Sequence, residues 1–434
     1  MPSRLNLLCL LLLTALAPAG FADIAVTGAA VPELKPFDDM MSKFLADHEV
    51  PGASVAIARH GKLIYARGFG LSDREKNEPV TTESRFRIAS ISKPITAVAI
   101  MQLVERGKLK LDDKAFAVLR TFPKLEGDNK PDPRLQEITV AQLLHHTAGF
   151  DREKSFDPMF RSRAIAALFE REPPADKPHI MRYMAGRPLD FDPGSRYAYS
   201  NFGYCVLGRL IEKTGGKLYA EYVKQEVLDP VGAKSMRIGR TLLSDRSEKE
   251  VRYYERTPGI SESVFMRRGP GGVPLEPQQP PERLPNPYGA WYLEAMDSHG
   301  GWLATASDLV RFAASLDDPD KCPILKRESI AAMWERPQIP AQTSATKEKT
   351  SDGKPVVYYA RGWNVRVIGD AKDGKINAWH LGGLAGTSTL LVRRHDGLVW
   401  AVLFNSDFAA DKQWLASKVD PLMHQAAASV KNWP

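Results

Sequence analysis

The chain has 434 residues, 43% hydrophobic and 26% charged, and its 59 Lys and Arg outnumber 52 Asp and Glu for a formal net charge of +7. This is the composition of an ordinary globular protein; the basic residues are interspersed with acidic ones and show no basic-aromatic pattern, which points to a mild preference for anionic surfaces and against a nucleic-acid groove. No stretch beyond residue 22 approaches 18 apolar residues, which argues against a membrane span.

Residues 1–22 carry Arg4, an apolar run at 5–16 and small residues ending at Ala19 or Ala22. That is the pattern of a secretory signal peptide cleaved before Asp23, and it predicts a secreted or periplasmic protein. Cleavage leaves about 412 of 434 residues, which a length prior would divide into two or three domains and which fits a single catalytic unit with an inserted subdomain equally well. It also removes Cys9, leaving Cys205 and Cys322 in an oxidising compartment where a disulfide is allowed but not implied. Cys205 lies in an apolar helical stretch and reads as a buried free thiol.

In chain order, Phe37, Met40, Met41, Phe44 and Leu45 form the apolar face of a helix over 36–48. A β-hairpin follows, with strands at 53–59 and 62–69 around a His60-Gly61 turn. The run from Arg87 to Leu109 is the element around which the chain is organised. Ile95, Val98, Ala99, Leu103 and Val104 recur at helical spacing, Ser90 stands at the entrance, and Pro94 falls in the first turn, where a missing N–H costs little. Lys93 is then on the same helical face as Ser90.

From 111 to 187 the pattern is helical and interrupted, with a Pro-rich stretch at 123–134 and a helix at 140–146 capped by Thr139 and stopped by Gly149. Adjacent His145 and His146 point to different sides of that helix and read as structural rather than as a metal pair. Tyr199-Ser200-Asn201 opens an apolar helix at 202–213, and residues 256–290, dense in Pro and Gly, form an excursion near the cleft. Helices are predicted at 306–316 and 324–334, strands at 362–368, 376–381, 387–394 and 398–405, and a last helix at 412–430. The expected fold is therefore α+β: an antiparallel sheet with strands from both chain ends, flanked by helices, plus an inserted helical lobe. Residues 23–89 and 299–434 would build the sheet lobe, residues 90–298 the helical one, and Ser90 would sit at their seam.

A serine hydroxyl becomes a useful nucleophile when a neighbouring base takes its proton, and a lysine can do so once burial and a helix N-terminus lower its pKa. Three Ser-x-x-Lys matches occur, at Ser90, Ser344 and Ser351, and only Ser90 opens an apolar helix; the other two lie in a polar run that reads as a solvated loop. With Tyr199-Ser-Asn201 before a helix and His380-Leu-Gly382-Gly383 near a strand end, three motifs fall in an order with chemical sense. Here the sequence resembles the serine β-lactamase and penicillin-binding-protein superfamily, in particular its class C β-lactamase-like branch, which includes esterases and D-amino-acid peptidases. The likeness covers nearly the whole mature chain and includes Pro51-Gly-Ala-Ser-Val-Ala-Ile, Leu143-Leu-His-His-Thr-Ala-Gly and His299-Gly-Gly-Trp-Leu-Ala-Thr.

The resemblance implies an acyl-enzyme hydrolase without metal or cofactor, acting on a small-molecule or peptide substrate. Ser90 would be the nucleophile and Tyr199 the general base and later acid, held partly as phenolate by Lys93. Backbone N–H groups of Ser90 and Gly383 would form the oxyanion hole, with Gly382 beside them, and Asn201 would orient Lys93 and the acyl amide. Two other matches are set aside: Lys213-Thr-Gly215 ends a helix, whereas the family's third motif needs a strand edge, and His299-Gly-Gly301 leads into a helix. Where β-lactam- and D-Ala-directed members carry Lys and Thr or Ser, this chain has His380 and Leu381, weakening recognition of a substrate carboxylate. His380 keeps an expected cleft role, and Arg361, Arg267 or Arg268 could replace the missing cation. An esterase-like preference follows, with a β-lactamase, a D-alanyl-D-alanine carboxypeptidase or a D-aminopeptidase as alternatives and a silent cell-wall-peptide binder as the non-enzymatic one. No Gly-x-Ser-x-Gly elbow, phosphate loop or His-Glu-x-x-His helix is present.

Overall fold

The expected hairpin forms as Gly52–Arg59 and Lys62–Asp73. His60 and Gly61 both take positive φ, 47° and 80°, the backbone that a two-residue hairpin loop needs to match the strand twist. The computed structural model describes residues 24–120, 131–276, 279–339, 357–369 and 374–434. The leader at 1–22, part of the Pro-rich stretch at 123–134 and the polar-run matches at Ser344 and Ser351 lie outside them.

The hairpin joins strands from the far end of the chain in one antiparallel sheet. Its order is Val26–Thr27, Lys62–Asp73, Gly52–Arg59, Leu398–Phe404, Thr387–Arg393, Ile376–Leu384, Asn364–Val367 and Val357–Tyr359, with Glu78–Pro79 added beside Lys62–Asp73. Ala56 stands opposite Ala401, so the seam between the two chain ends is the middle of the sheet. Every residue of Leu398–Phe404 is buried, because both faces are covered. On one face Val55, Ile57, Trp400 and Val402 pack with Phe37, Met41 and Phe44 of the Lys35–His48 helix and Val419 and Met423 of the Leu415–Ser429 helix. The alternate residues Ala56, Ala401 and Leu403 turn to the other face and a larger core with Leu309, Val310 and Ala313 of the Ala306–Ala314 helix. Each fully buried aliphatic or aromatic side chain contributes about 1.5–3 kcal/mol.

The organising helix is Ser92–Glu105, preceded by a 3₁₀ turn at Ala89–Ile91. Its residues from Ser92 to Leu103 are all buried, so it runs as a central rod inside the helical lobe rather than along a surface. The helix expected at 140–146 is shorter, Val140–Leu144; Thr139 and Gln142 form a reciprocal capping box, but the chain leaves the helix at His145 and His146 takes φ 58°. Lys213-Thr-Gly215 ends the Asn201–Gly215 helix, with Gly216 in the left-handed region as its stop.

One small sheet was not legible in the sequence: Phe86–Arg87, Trp302–Ala304 and Arg237–Ile238 pair in the order given by their contacts, with Trp302–Ala304 in the middle. Within the excursion, Ile260–Glu262 pairs with Arg283–Pro285. Buried Arg87 fastens this region to the approach of Ser90 by donating to the carbonyls of Pro287 and Arg240, while its backbone N–H donates to the Tyr253 hydroxyl. Cys205 and Cys322 are both unbonded, the first fully buried. Among the described residues no helix is long and apolar enough to cross a membrane.

Candidate active site

Ser90 is presented by a turn whose geometry is enforced from three sides. Ala89 takes φ 46°, unusual for a residue with a Cβ, and the Ser92 hydroxyl closes the turn by donating to the Ala89 carbonyl at 2.8 Å. The Ile88 N–H donates to Trp302 O, and the Thr389 hydroxyl donates to Ile88 O at 3.1 Å. The strand Ile376–Leu384 then lies directly against this turn. A Cβ on Gly382 would stand 2.3 Å from Ile88 O and 2.2 Å from Thr389 Oγ1, and one on Gly383 would run into the Trp414 ring, so only glycine permits this approach. The neighbouring strand Asn364–Val367 pairs only as far as Trp379, which leaves the stretch from His380 onward without a partner on that edge.

Lys93 is fully buried one turn below Ser90. Its Nζ donates to Ser90 Oγ at 3.1 Å, to Asn201 Oδ1 at 2.7 Å and to the His299 carbonyl at 3.1 Å. These acceptors come from three separate segments. The His299 carbonyl is held in place by its turn: buried Asp297 accepts from Lys177, Arg209 and the Ser298 N–H, and the Ser298 carbonyl accepts from Thr96 of the central helix. His299 therefore enters the site through its backbone, not through the ring that the His-x-Gly pattern suggests.

Tyr199 is positioned by His146. The His146 carbonyl accepts the Ala198 N–H at 2.9 Å and its ring Nδ1 accepts the Ser200 N–H at 3.2 Å, so one residue holds the backbone on both sides of Tyr199. The two rings lie 4.3 Å apart. The left-handed backbone of His146 makes this double grip possible, and a helical histidine could not supply it. The Ser200 side chain caps the Asn201–Gly215 helix by accepting from Gly203 N–H, which aims Asn201 inward from the first turn. The Tyr199 hydroxyl interacts with that of Ser90, and Lys93 Nζ lies 4.6 Å from the Tyr199 ring centroid.

Burial dominates the electrostatics. It drives the Lys93 ammonium well below its usual range, with half-buried Asp157 pulling the other way and Arg152 reinforcing the drop. It raises the Tyr199 phenol, an effect that its bond to Ser90 and the nearby Arg152 only partly offset. The expectation of a partly ionised Tyr199 is thereby reversed: in this dry setting the neutral phenol and the neutral amine are the favoured forms. His146 and His299 are both held well below the ordinary imidazole value, first by burial and then by Lys93.

His380 is lowered to about 3 by burial and by Lys93, and is neutral rather than weakly charged. Its Nε2 accepts from the Tyr359 hydroxyl at 3.0 Å and its Nδ1–H donates to Leu381 O at 2.7 Å. With both nitrogens engaged and the ring buried, it offers no donor to a substrate carboxylate, which corrects the expected binding role of its side chain. Nor do the proposed substitutes reach the cleft. Arg361 is buried against Glu335 and the Ala332 carbonyl, Arg268 pairs with Glu172, and Arg267 is exposed on the excursion. The arginine that does approach is Arg152, whose guanidinium carbon lies 4.8 Å from the Tyr199 ring centroid. No motif marked it. Among the described residues no cluster of three or more His, Cys, Asp or Glu is arranged to hold a metal.

Known proteins resemble this chain at several levels of likeness. A family model described as Beta-lactamase matches residues 37–417. Esterase EstB of Burkholderia gladioli is 31% identical over 241 residues, which cover 54% of this chain and 57% of that protein. Penicillin-binding protein 4* of Bacillus subtilis (strain 168) is 27% identical over 352 residues, 80% of this chain and 66% of that one. The matched region thus spans less than two thirds of either relative. Among solved structures, D-amino acid amidase from Ochrobactrum anthropi SV3 shares the fold with a TM-score of 0.63 at 20% identity, covering 92% of this chain and 97% of that chain.

Proposed function

The chain belongs to the Beta-lactamase family, and from that premise we propose that it is a serine hydrolase that cleaves esters, in preference to β-lactams or D-amino-acid amides, through an acyl-enzyme on Ser90. The observation that carries the catalytic part is the three-way anchoring of Lys93 Nζ beneath Ser90 Oγ. Neutral Lys93 takes the Ser90 proton as Oγ bonds to the substrate carbonyl carbon. The oxyanion that forms accepts from the backbone N–H groups of Ser90 and Gly383. Collapse breaks the bond to the leaving alcohol, which receives the Tyr199 proton, and Lys93 returns its own proton to the Tyr199 oxygen. Water then repeats the sequence on the acyl ester: its proton passes to Tyr199 and Lys93, and Ser90 Oγ leaves with one. Every group ends as it began.

The substrate preference rests on the strand edge. A charge-assisted hydrogen bond contributes about 1.5–3 kcal/mol, so losing one lowers selectivity for carboxylate-bearing substrates by roughly 10- to 150-fold. Neutral His380 and apolar Leu381 supply no such bond. Short-chain p-nitrophenyl esters are expected to be turned over with higher kcat/KM than nitrocefin or penicillin G, and a fluorophosphonate should label wild type but not Ser90→Ala. A wild type that prefers the β-lactams to every neutral ester would overturn the reading in favour of a β-lactamase or D,D-peptidase. The leader-like pattern of residues 1–22 supports export as part of the same proposal.

A further inference from the structure

The Asn201 amide has two different ends, and the site uses both. As the base, neutral Lys93 turns its lone pair to the Ser90 proton and its hydrogens to Asn201 and the His299 carbonyl, so it requires the oxygen of Asn201, and that orientation leaves the Asn201 NH₂ pointing away from the lysine. There it donates to Asp157 Oδ2 at 2.6 Å. Asp157 is itself fixed: its other oxygen accepts the Met159 N–H at 3.1 Å, where it caps the Pro158–Phe160 turn. We propose that Asp157 is a positioning residue of this hydrolase, which locks the Asn201 amide with its oxygen toward Lys93 and places a half-buried negative charge one residue away from the catalytic amine.

Without an acceptor at 157, a reversed amide would cost Asn201 nothing on that side, and Lys93 would face a donor. With the carboxylate present, reversal would set two donors together at Lys93 and two acceptors together at Asp157. The amide is thus held from outside the catalytic set. The groups facing Lys93 show why the charge matters. The 3₁₀ turn before the central helix contributes Ser90, the helix from Asn201 contributes that residue and the Tyr204 ring, and the 297–301 turn contributes the His299 carbonyl and neutral ring. The Tyr199 loop, His146 and His380 add neutral groups, Arg152 a positive one. Asp157 is the influence that raises Lys93 against burial. Its own carboxyl is raised by burial and drawn back by Asn201, Met159, Arg152 and Lys93.

This inference rests on the Ser90 mechanism, and the test separates the two. Ser90→Ala, Asp157→Asn and Asp157→Ala would be compared with wild type on a neutral p-nitrophenyl ester, measuring kcat and KM across pH together with thermal stability. Asp157→Asn keeps one acceptor of similar shape and loses the charge. We expect kcat to fall by about 10- to 100-fold, the scale of a misaligned catalytic group, with KM changing much less. Its acid limb should move to lower pH, because removing the carboxylate stabilises the neutral amine. Asp157→Ala should lose more. Should Asp157→Asn fail to fold, Asp157→Glu carries the test: it keeps the charge out of place, so kcat falls while the acid limb stays near that of wild type. Wild-type kcat and acid limb in Asp157→Asn, with Ser90→Ala dead, would overturn the positioning role alone. An active Ser90→Ala would overturn the mechanism beneath it as well.

Discussion

The helical wall of the cleft and its strand wall are built from different materials. On the helical side, groups from four segments interlock around the one buried amine of Lys93: the side chains of Ser90 and Asn201, the His299 carbonyl and, behind Asn201, the Asp157 carboxylate. On the strand side, the working surface is main chain, with Gly382 and Gly383 stripped of side chains so that it can approach Ser90, and the His380 ring turned inward to Tyr359. Chemistry and recognition are thereby divided. The wall proposed to make and break the bond is specified in detail by its side chains, whereas the wall proposed to discriminate among substrates presents backbone and a buried, neutral His380.

Breaking the helical wall should have the largest effect. Lys93→Ala removes the proton acceptor of both half-reactions and should lower kcat/KM by at least about 1,000-fold, while Tyr199→Phe, which removes only the relayed proton, should cost about 100-fold. Steady-state kinetics on one ester decides the order; a Tyr199→Phe more damaging than Lys93→Ala would return the role of base to the tyrosine. The residual activity of wild type should fall away on the acid side as Lys93 gains its proton, at a pH well below the ordinary lysine range.

Sharpening the strand wall is the intermediate case. The double change His380→Lys with Leu381→Thr restores a cation and a hydroxyl, and the ratio of nitrocefin to ester kcat/KM should rise by roughly 10- to 150-fold. An unchanged ratio would mean that anion recognition is not what the strand lacks. Gly382→Ala tests the approach itself. Its Cβ would meet the Ile88 carbonyl as well as the Thr389 hydroxyl, and because the first is backbone the strand must retreat. We expect a loss of about 1–3 kcal/mol of stability from overpacking, read as a lower midpoint in urea, and at least a tenfold loss of activity from misalignment.

What could be read in advance follows the same division. Ser90, Lys93 and Tyr199, which the structure brings together, could be singled out because each stands in a motif at the start of a helix, and the long strands because their apolar residues alternate or run unbroken between turn residues. The His299 contribution was not, since a carbonyl has no sequence signature and the eye goes to the imidazole. His146 was misread as helical because the apolar pattern continues past Leu144 where the backbone does not. Asp157 and Arg152 lie in a loop, where no periodicity fixes direction. Trp302–Ala304 and its two partners, each of two or three residues, are too short to show any alternation.

The pairing of Ala56 with Ala401 at the centre of the sheet carries a consequence for how the molecule is made. Strand Gly52–Arg59 finds its first neighbour at once in Lys62–Asp73, but its second neighbour, Leu398–Phe404, leaves the ribosome only after the whole helical lobe has been made. Until then the hairpin has an open apolar edge and half a core. Closing so long a loop is slow, and chains dominated by distant contacts fold in milliseconds to seconds rather than microseconds. The first and last described helices, Lys35–His48 and Leu415–Ser429, finish side by side on the same face of the sheet. A circular permutant that links them and opens a loop in the helical lobe would turn the most distant strand pair into a near neighbour, so the sheet could close before the catalytic rod is threaded against it.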